Sequence, residues 1–255
     1  MILFHRKIGE SGTPFVILHG LFGSGDNWQT HAKNWSTEYQ VFLIDNRNHG
    51  HSNHIDEMDY DVMAQDLKET LDSLSLQKVH LMGHSMGGKV AMRFTQLFPE
   101  YVLKLIIVDM GIKAYPPHHD VIFSGLENVE VENCPTRKSA EDRLQVFISD
   151  ISTRQFLLKN LYWLNESQLA WRFNLVVLKA NIHHILNSLP SVVVNTPTLF
   201  LYGGKSNYVL QEDWPNIVAC FPRAELVCVS NAGHWVHVEN PHDFSQNVLN
   251  FLHKT

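Results

Sequence analysis

A short apolar run, Val79 to Met82, leads into Gly83-His84-Ser85-Met86-Gly87, and a helix-like pattern begins at Lys89. A strand that turns at once into a helix through Gly-x-Ser-x-Gly leaves no room for side chains on either side of the serine. Glycine therefore stands at both flanks, and the serine hydroxyl is held exposed above the sheet. The motif is short, but its position between a strand and a helix makes a chance match rare.

The rest of the chain supports such a sheet. Apolar runs at Leu3–Ile8, Phe15–Leu18, Val41–Ile44, Val79–Met82, Leu105–Val108, Thr198–Tyr202 and Leu226–Val229 read as strands. Most are continuously apolar, as expected of parallel strands buried on both faces. Helical patterns lie between them. Val62, Met63, Leu67, Leu71 and Leu74 share one helix face, with Asp59 or Asp61 as the cap. Val90, Phe94, Leu97 and Phe98 form a second such face, closed by Pro99, and Phe244, Val248, Leu249 and Leu252 a third near the C-terminus. This alternation predicts an α/β protein with a doubly wound, mostly parallel sheet.

The alternation stops between Gly111 and Pro190. That stretch reads as several helices with no convincing strand and is rich in large apolar residues, among them Phe123, Phe147, Phe156, Trp163, Trp171 and Phe173. It is expected to be a helical cap over the sheet. Residues 1–110 and 191–255 then form the core, and residues 111–190 the cap.

At 255 residues, with 44% hydrophobic and 18% charged residues, the chain has material for a sizeable core. A net charge of −6 argues against nucleic acid as a partner, because phosphate neutralisation needs clustered Lys and Arg. Cys134, Cys220 and Cys228 show neither metal-ligand spacing nor evident pairing, which suits a reducing compartment. The first residues lack the pattern of a signal peptide or membrane anchor. A cytoplasmic protein with no membrane partner is expected. His118-His119 and His183-His184 lack a third ligand, so no metal site is expected. No cofactor signature is present.

A serine hydroxyl is a weak nucleophile at neutral pH and needs a base, which in turn needs an orienting partner. His234, in Asn231-Ala232-Gly233-His234-Trp235-Val236-His237, follows the last apolar strand and is the expected base. His237 is the nearest rival and reads as structural. A Gly-rich segment, His19-Gly20-Leu21-Phe22-Gly23, follows the strand Phe15–Leu18. Asp45-Asn46-Arg47-Asn48-His49-Gly50-His51-Ser52 forms a turn in which Asp45 and Arg47 read as loop ties beneath the site.

Together these motifs resemble the α/β-hydrolase superfamily over essentially the full length. The Asp-x-Arg-x-x-Gly-x-Ser turn, Gly-His-Ser-Met-Gly-Gly-Lys and Gly-His-Trp-Val-His are similar to a narrower group, the YbfF-type bacterial esterases and thioesterases. Gln155-Phe156-Leu157-Leu158-Lys159 and Trp171-Arg172-Phe173-Asn174 fit that group as well. The resemblance implies the α/β-hydrolase fold, with the cap inserted after the sixth strand. It also implies an oxyanion hole made by the backbone N–H groups of Met86 and Leu21, with Phe22 as the rival donor.

The acid departs from the common family pattern. Most members place it in a Gly-x-x-Asp-x-x-Val setting, but the matching segment is Gly203-Gly204-Lys205-Ser206-Asn207-Tyr208-Val209. Ser206 occupies the acid's slot, and a hydroxyl cannot stabilise an imidazolium as a carboxylate does. Some members carry the acid at the end of the strand beside the nucleophile, where Asp109 stands. Asp109 is the favoured acid, Asp213 and Glu212 are alternatives, and Ser206 is a possible fourth member bonded to His234 or Asp109.

The expected function is a serine hydrolase acting on carboxylic esters or acyl thioesters through an acyl-enzyme on Ser85. Acyl-CoA is among the substrates the resemblance implies, and Lys113, Arg137 and Lys138 are candidates for the basic rim its nucleotide would need. Phe22 and Trp235 are the expected walls for an acyl chain. Other chemistry on the same fold, such as a cofactor-free haloperoxidase or C–C hydrolase, and a non-catalytic ligand receptor remain as alternatives. Oligomeric state is not legible in the sequence.

Overall fold

The computed structural model describes residues 1–254. The elements run, in chain order, β1 (His5–Ile8), β2 (Thr13–Leu18), α1 (Gln29–Trp35), β3 (Tyr39–Ile44), α2 (Tyr60–Ser73), β4 (Val79–His84), α3 (Met86–Leu97) and β5 (Val102–Val108). Then come α4 (Asp120–Asn128), α5 (Arg137–Gln145), α6 (Ile151–Leu158), β6 (Leu161–Trp163), β7 (Leu169–Trp171), α7 (Leu175–Ala180) and α8 (Ile182–Leu186). The chain closes with β8 (Thr198–Gly203), α9 (Trp214–Cys220), β9 (Ala224–Val229), α10 (Val236–Glu239) and α11 (Pro241–His253).

Seven strands form one sheet in the order β1-β3-β2-β4-β5-β8-β9. Only β1, on β3, is antiparallel; the other pairings are parallel. Side chains alternate between the two faces with the period of two that a pleated strand imposes. Val16, Leu18, Ile44, Leu81, Leu105, Ile107 and Phe200 join one core, with Met63 and Leu67 of α2 and Val90 and Phe94 of α3. Phe15, Ile17, Leu43, Met82, Ile106, Val108 and Leu201 join the other, with Trp35 of α1 and Phe244 and Val248 of α11. Both faces are thus covered, as continuous apolar runs require.

Asp59 caps α2 through its carboxylate, which accepts from the Asp61 and Val62 amides. Pro99 follows Phe98, the C-cap of α3, since proline cannot continue the hydrogen-bonded ladder.

The segment between Gly111 and Pro190 differs in two details from its expectation. It contains a short antiparallel hairpin, β6 on β7, with register Leu161↔Trp171 and Trp163↔Leu169. Strands of three residues are too short to display an alternating pattern. The segment also follows the fifth strand of the chain, not the sixth, because only β1 to β5 precede it. Its apolar residues, including Phe123, Leu126, Leu157 and Phe173, continue the core on the α2–α3 face of the sheet. Both stems of the segment meet at Lys89 of α3, which is fully buried. Its ammonium donates to the carbonyls of Lys113 and Asn187 and sits 4.9 Å from the centre of the Tyr115 ring. No helix among the described residues is long and apolar enough to cross a membrane.

The strand order places the functional loops. Strands preceding β4 in sequence lie on one side of it and β5, β8 and β9 on the other. The loops leaving β2 and β4 therefore diverge at their carboxyl ends, where open α/β sheets form a crevice.

Candidate active site

The turn from β4 into α3 holds Ser85 at φ 53° and ψ −121°, a strained conformation for a residue with a side chain. Two close approaches maintain it. A Cβ on Gly83 would lie 2.1 Å from the Gly87 carbonyl oxygen, and one on Gly87 would lie 2.5 Å from that of His19. Only glycine fits at either flank. The Ser85 amide donates to the Val108 carbonyl at 3.1 Å, which prolongs the β4–β5 ladder to the elbow itself.

The Ser85 hydroxyl lies 3.0 Å from Nε2 of His234. Nδ1 of His234 lies 2.7 Å from Oδ2 of Asp109. Asp109 follows β5, is fully buried and has φ 49°. Its amide donates to Leu201, and its Oδ1 accepts from the Gly203 amide at 3.0 Å. Its Oδ2 accepts a second hydrogen bond, from the Ser206 hydroxyl at 2.5 Å. The Ser206 oxygen in turn accepts from the Tyr208 amide at 3.2 Å. Ser85, His234, Asp109 and Ser206 thus form one continuous chain. Asp213 stands apart, paired with Lys113 at 2.6 Å.

The loop after β2 faces the elbow. The Phe22 amide donates to Nε2 of His49 at 3.1 Å, so it is not free to bind an oxyanion. The Leu21 and Met86 amides are engaged by no other group among the described residues. Two buried histidines shape this loop. His49 donates from Nδ1 to the Arg47 carbonyl, and its Nε2 must stay unprotonated to accept from Phe22. Burial pushes its imidazole down to about 3, which keeps that acceptor. His19 does the same, with Nδ1 donating to Gly20 and Nε2 accepting from the Asn46 amide; burial lowers it too. From the cap side, Asn160 Nδ2 donates to the Phe22 carbonyl at 2.7 Å.

Beneath this layer, Asp45 accepts from the Gly25 and His51 amides, and Arg47 forms a two-pronged pair with Asp66 at 2.6 and 2.9 Å. His237 stacks on Trp28 with ring centroids 4.1 Å apart and does not touch Ser85.

Two neighbours of His234 escaped the reading of the sequence. The Tyr208 ring stacks on the imidazole at 3.9 Å and 18°. Its hydroxyl donates to Nε2 of His118 at 2.7 Å, and burial pushes the phenol up to about 12. His84 donates from Nε2 to the His234 carbonyl at 2.9 Å and is held neutral by burial and the adjacent His234, at about 3. Both stand inside motifs already singled out, but no spacing signals that their rings meet His234.

A cavity of about 300 Å³ opens onto Ser85 and His234. Leu21, Phe22, Ile122, Phe156, Leu157 and Trp235 supply its apolar wall. Phe22 packs edge-on against Phe123 and Phe173 of the cap, and Trp235 packs on Phe156 at 5.5 Å. Lys113, Arg137 and Lys138 do not line it, which corrects the expected basic rim. Each is held elsewhere: Lys113 by Asp213, Arg137 by the Leu158 and Leu161 carbonyls, Lys138 by Asp142. No cluster of three metal-ligating side chains occurs among the described residues.

Residues 13–241 match the model of a family described by the alpha/beta hydrolase fold. The chain is 34% identical over 244 residues to esterase YbfF of Escherichia coli K12, covering 95% of this chain and 94% of that protein. It is 38% identical to the sn-1-specific diacylglycerol lipase ABHD11 of Danio rerio, covering 96% of this chain and 79% of that one. A solved structure described as a marine microorganism esterase superposes with a TM-score of 0.96 at 41% identity, covering 98% of this chain and 99% of its own.

Proposed function

The chain belongs to the alpha/beta hydrolase fold family, and we propose that it hydrolyses carboxylic esters through an acyl-enzyme on Ser85. The observation that carries this reading is the unbroken hydrogen-bonded chain from the Ser85 hydroxyl through both nitrogens of His234 to the buried carboxylate of Asp109. The names of the relatives, esterases and a lipase, point the same way.

The reaction follows from the geometry. Ser85 attacks the ester carbonyl while Nε2 of His234 takes its proton. The carbonyl oxygen becomes an oxyanion held by the Leu21 and Met86 amides. The imidazolium, stabilised by Asp109, then protonates the departing alcohol, and water releases the acid by the same steps in reverse. Ser206 steadies Asp109 by donating to the same carboxylate oxygen that His234 engages. Phe22 and Trp235 border the acyl group. Residues 111–190 act as the cap that closes this space, on a core of residues 1–110 and 191–255. Simple esters are favoured over CoA thioesters, because Lys113, Arg137 and Lys138 lie outside the cavity and a single lysine, Lys159, lines it among the described residues. Three unpaired cysteines fit a cytoplasmic location.

A panel of nitrophenyl esters and acyl-CoAs, run with wild type and Ser85→Ala side by side, tests the reading. Ester turnover lost in the variant is expected. Ester turnover that persists undiminished in Ser85→Ala, or its absence from wild type, overturns it.

A further inference from the structure

One wall of the cavity is not apolar. Helix α6 and its C-cap residue Lys159 present Ser152, Gln155, Phe156 and Lys159 to it, at the three- and four-residue intervals that share a helix face. Phe156 packs on Trp235, the residue after His234, so this face adjoins the catalytic loop. The side chains of Ser152, Gln155 and Lys159 are exposed and carry no hydrogen-bond or ion-pair partner among the described residues. Their neighbours are spent: Thr153 bonds Asp150, and Arg154 turns away to the Ile148 and Ser149 carbonyls.

Among the described residues, Lys159 is also the only Lys, Arg, Asp or Glu lining the cavity. Six histidines and Tyr208 share the lining with it. Burial keeps the His84 and His119 rings well below their usual range, at about 3 and 4, and lowers His19 and His237 as well. Lys159 thus brings one fixed positive charge to a partly apolar space. The whole chain carries −6, so it offers no general attraction for anions; a preference for them has to arise locally.

Resting on the ester-hydrolase reading, we propose that Lys159, with Ser152 and Gln155 beside it, binds an anionic group of the substrate remote from the scissile bond. The enzyme is thereby selective for acidic esters, those bearing one carboxylate or phosphate, over neutral esters of the same size. The ammonium supplies the charge, and the hydroxyl and amide supply the additional donors that a carboxylate or phosphate accepts.

Matched ester pairs test this. One arm places the anion on the acyl side, with monoethyl adipate against ethyl heptanoate. The other places it on the alcohol side, with 3-carboxypropyl butyrate against pentyl butyrate. The readout is the ratio of kcat/KM, acidic over neutral, in wild type, Lys159→Gln, Lys159→Glu and Lys159→Arg. In the arm that matches the bound orientation, the ratio is expected to fall roughly five- to tenfold in Lys159→Gln, as for loss of one charge-assisted hydrogen bond. It falls further in Lys159→Glu and recovers largely in Lys159→Arg, and the wild-type ratio drops as salt is raised. A ratio unchanged by Lys159→Gln in both arms overturns the proposal while ester hydrolysis stands. Absence of Ser85-dependent turnover of either member in both arms overturns the ester reading, and this inference with it.

Discussion

Ser206 and His234 share a single oxygen of Asp109, the hydroxyl at 2.5 Å and the imidazole at 2.7 Å. The position that holds a carboxylate in the common family pattern thus bonds the carboxylate that stands on the neighbouring strand. Asp109→Asn should lower kcat by up to about 10⁴, as expected when the imidazole loses its charged partner. Ser206→Ala removes one of several donors to that carboxylate and should lower kcat by about tenfold with little change in KM. Asp213→Asn, which disturbs the pair with Lys113 and the bond from the Leu210 amide but nothing at His234, should retain turnover. Steady-state kinetics with far-UV circular dichroism as a folding control will decide; normal activity in Asp109→Asn would exclude it as the acid.

The stack of Tyr208 on His234 leads to a separable expectation. Tyr208→Phe keeps the ring and loses only the bond to His118, so it should cost less than threefold in kcat. Tyr208→Ala leaves the imidazole without its flat support and should cost about two- to tenfold, in line with an aromatic pair worth about 0.5–1.5 kcal/mol. Equal losses in the two variants would assign the effect to the hydroxyl.

Acid should destabilise the fold through histidines that are buried neutral. His49, His84 and His237 all have folded values well below the ordinary histidine range, with His49 and His84 near 3. Between those values and about 6.5 the unfolded chain binds more protons than the folded one, so stability rises with pH across that window and is lost as pH falls. Protonating His49 also removes the acceptor of the Phe22 amide. Urea midpoints should therefore decline from pH 7 to pH 4.5, and a flat profile would contradict the neutral assignments.

Lys89 should contribute a pH dependence on the alkaline side. Burial lowers its ammonium to about 7. From there to about 10.5 the unfolded lysine is protonated and the folded one is not, so stability increases with pH over this interval. Lys89→Met should flatten that rise. At pH 10 the variant should also be less stable by about 1–3 kcal/mol, because the Lys113 and Asn187 carbonyls lose their donor. Urea titrations of both proteins at pH 7, 8.5 and 10 measure the difference.

Much of the scaffold is readable without coordinates. Seven runs in the sequence became the seven strands of the sheet, and the inner ones, β2 to β5 and β8, are apolar along most of their length because they are buried on both faces. Asp59 and Pro99 mark helix ends by local chemistry alone. The hairpin β6–β7 was missed because three-residue strands show no period, and the rim of Lys113, Arg137 and Lys138 was misplaced because charge in a sequence carries no direction.

What the sequence determined by itself is local. The elbow at Ser85 is specified by two glycines, since no other residue clears the backbone at 2.1 and 2.5 Å. The tertiary structure decided which groups meet. Asp109 and Ser206 lie far apart along the chain and converge only because β5 and β8 are hydrogen-bonded neighbours. Phe22 and Leu21 are adjacent in sequence, yet His49 takes the amide of one and leaves the other free. Turn geometry is encoded in a few consecutive residues, whereas partnership among side chains depends on strand order and register, which no short segment contains.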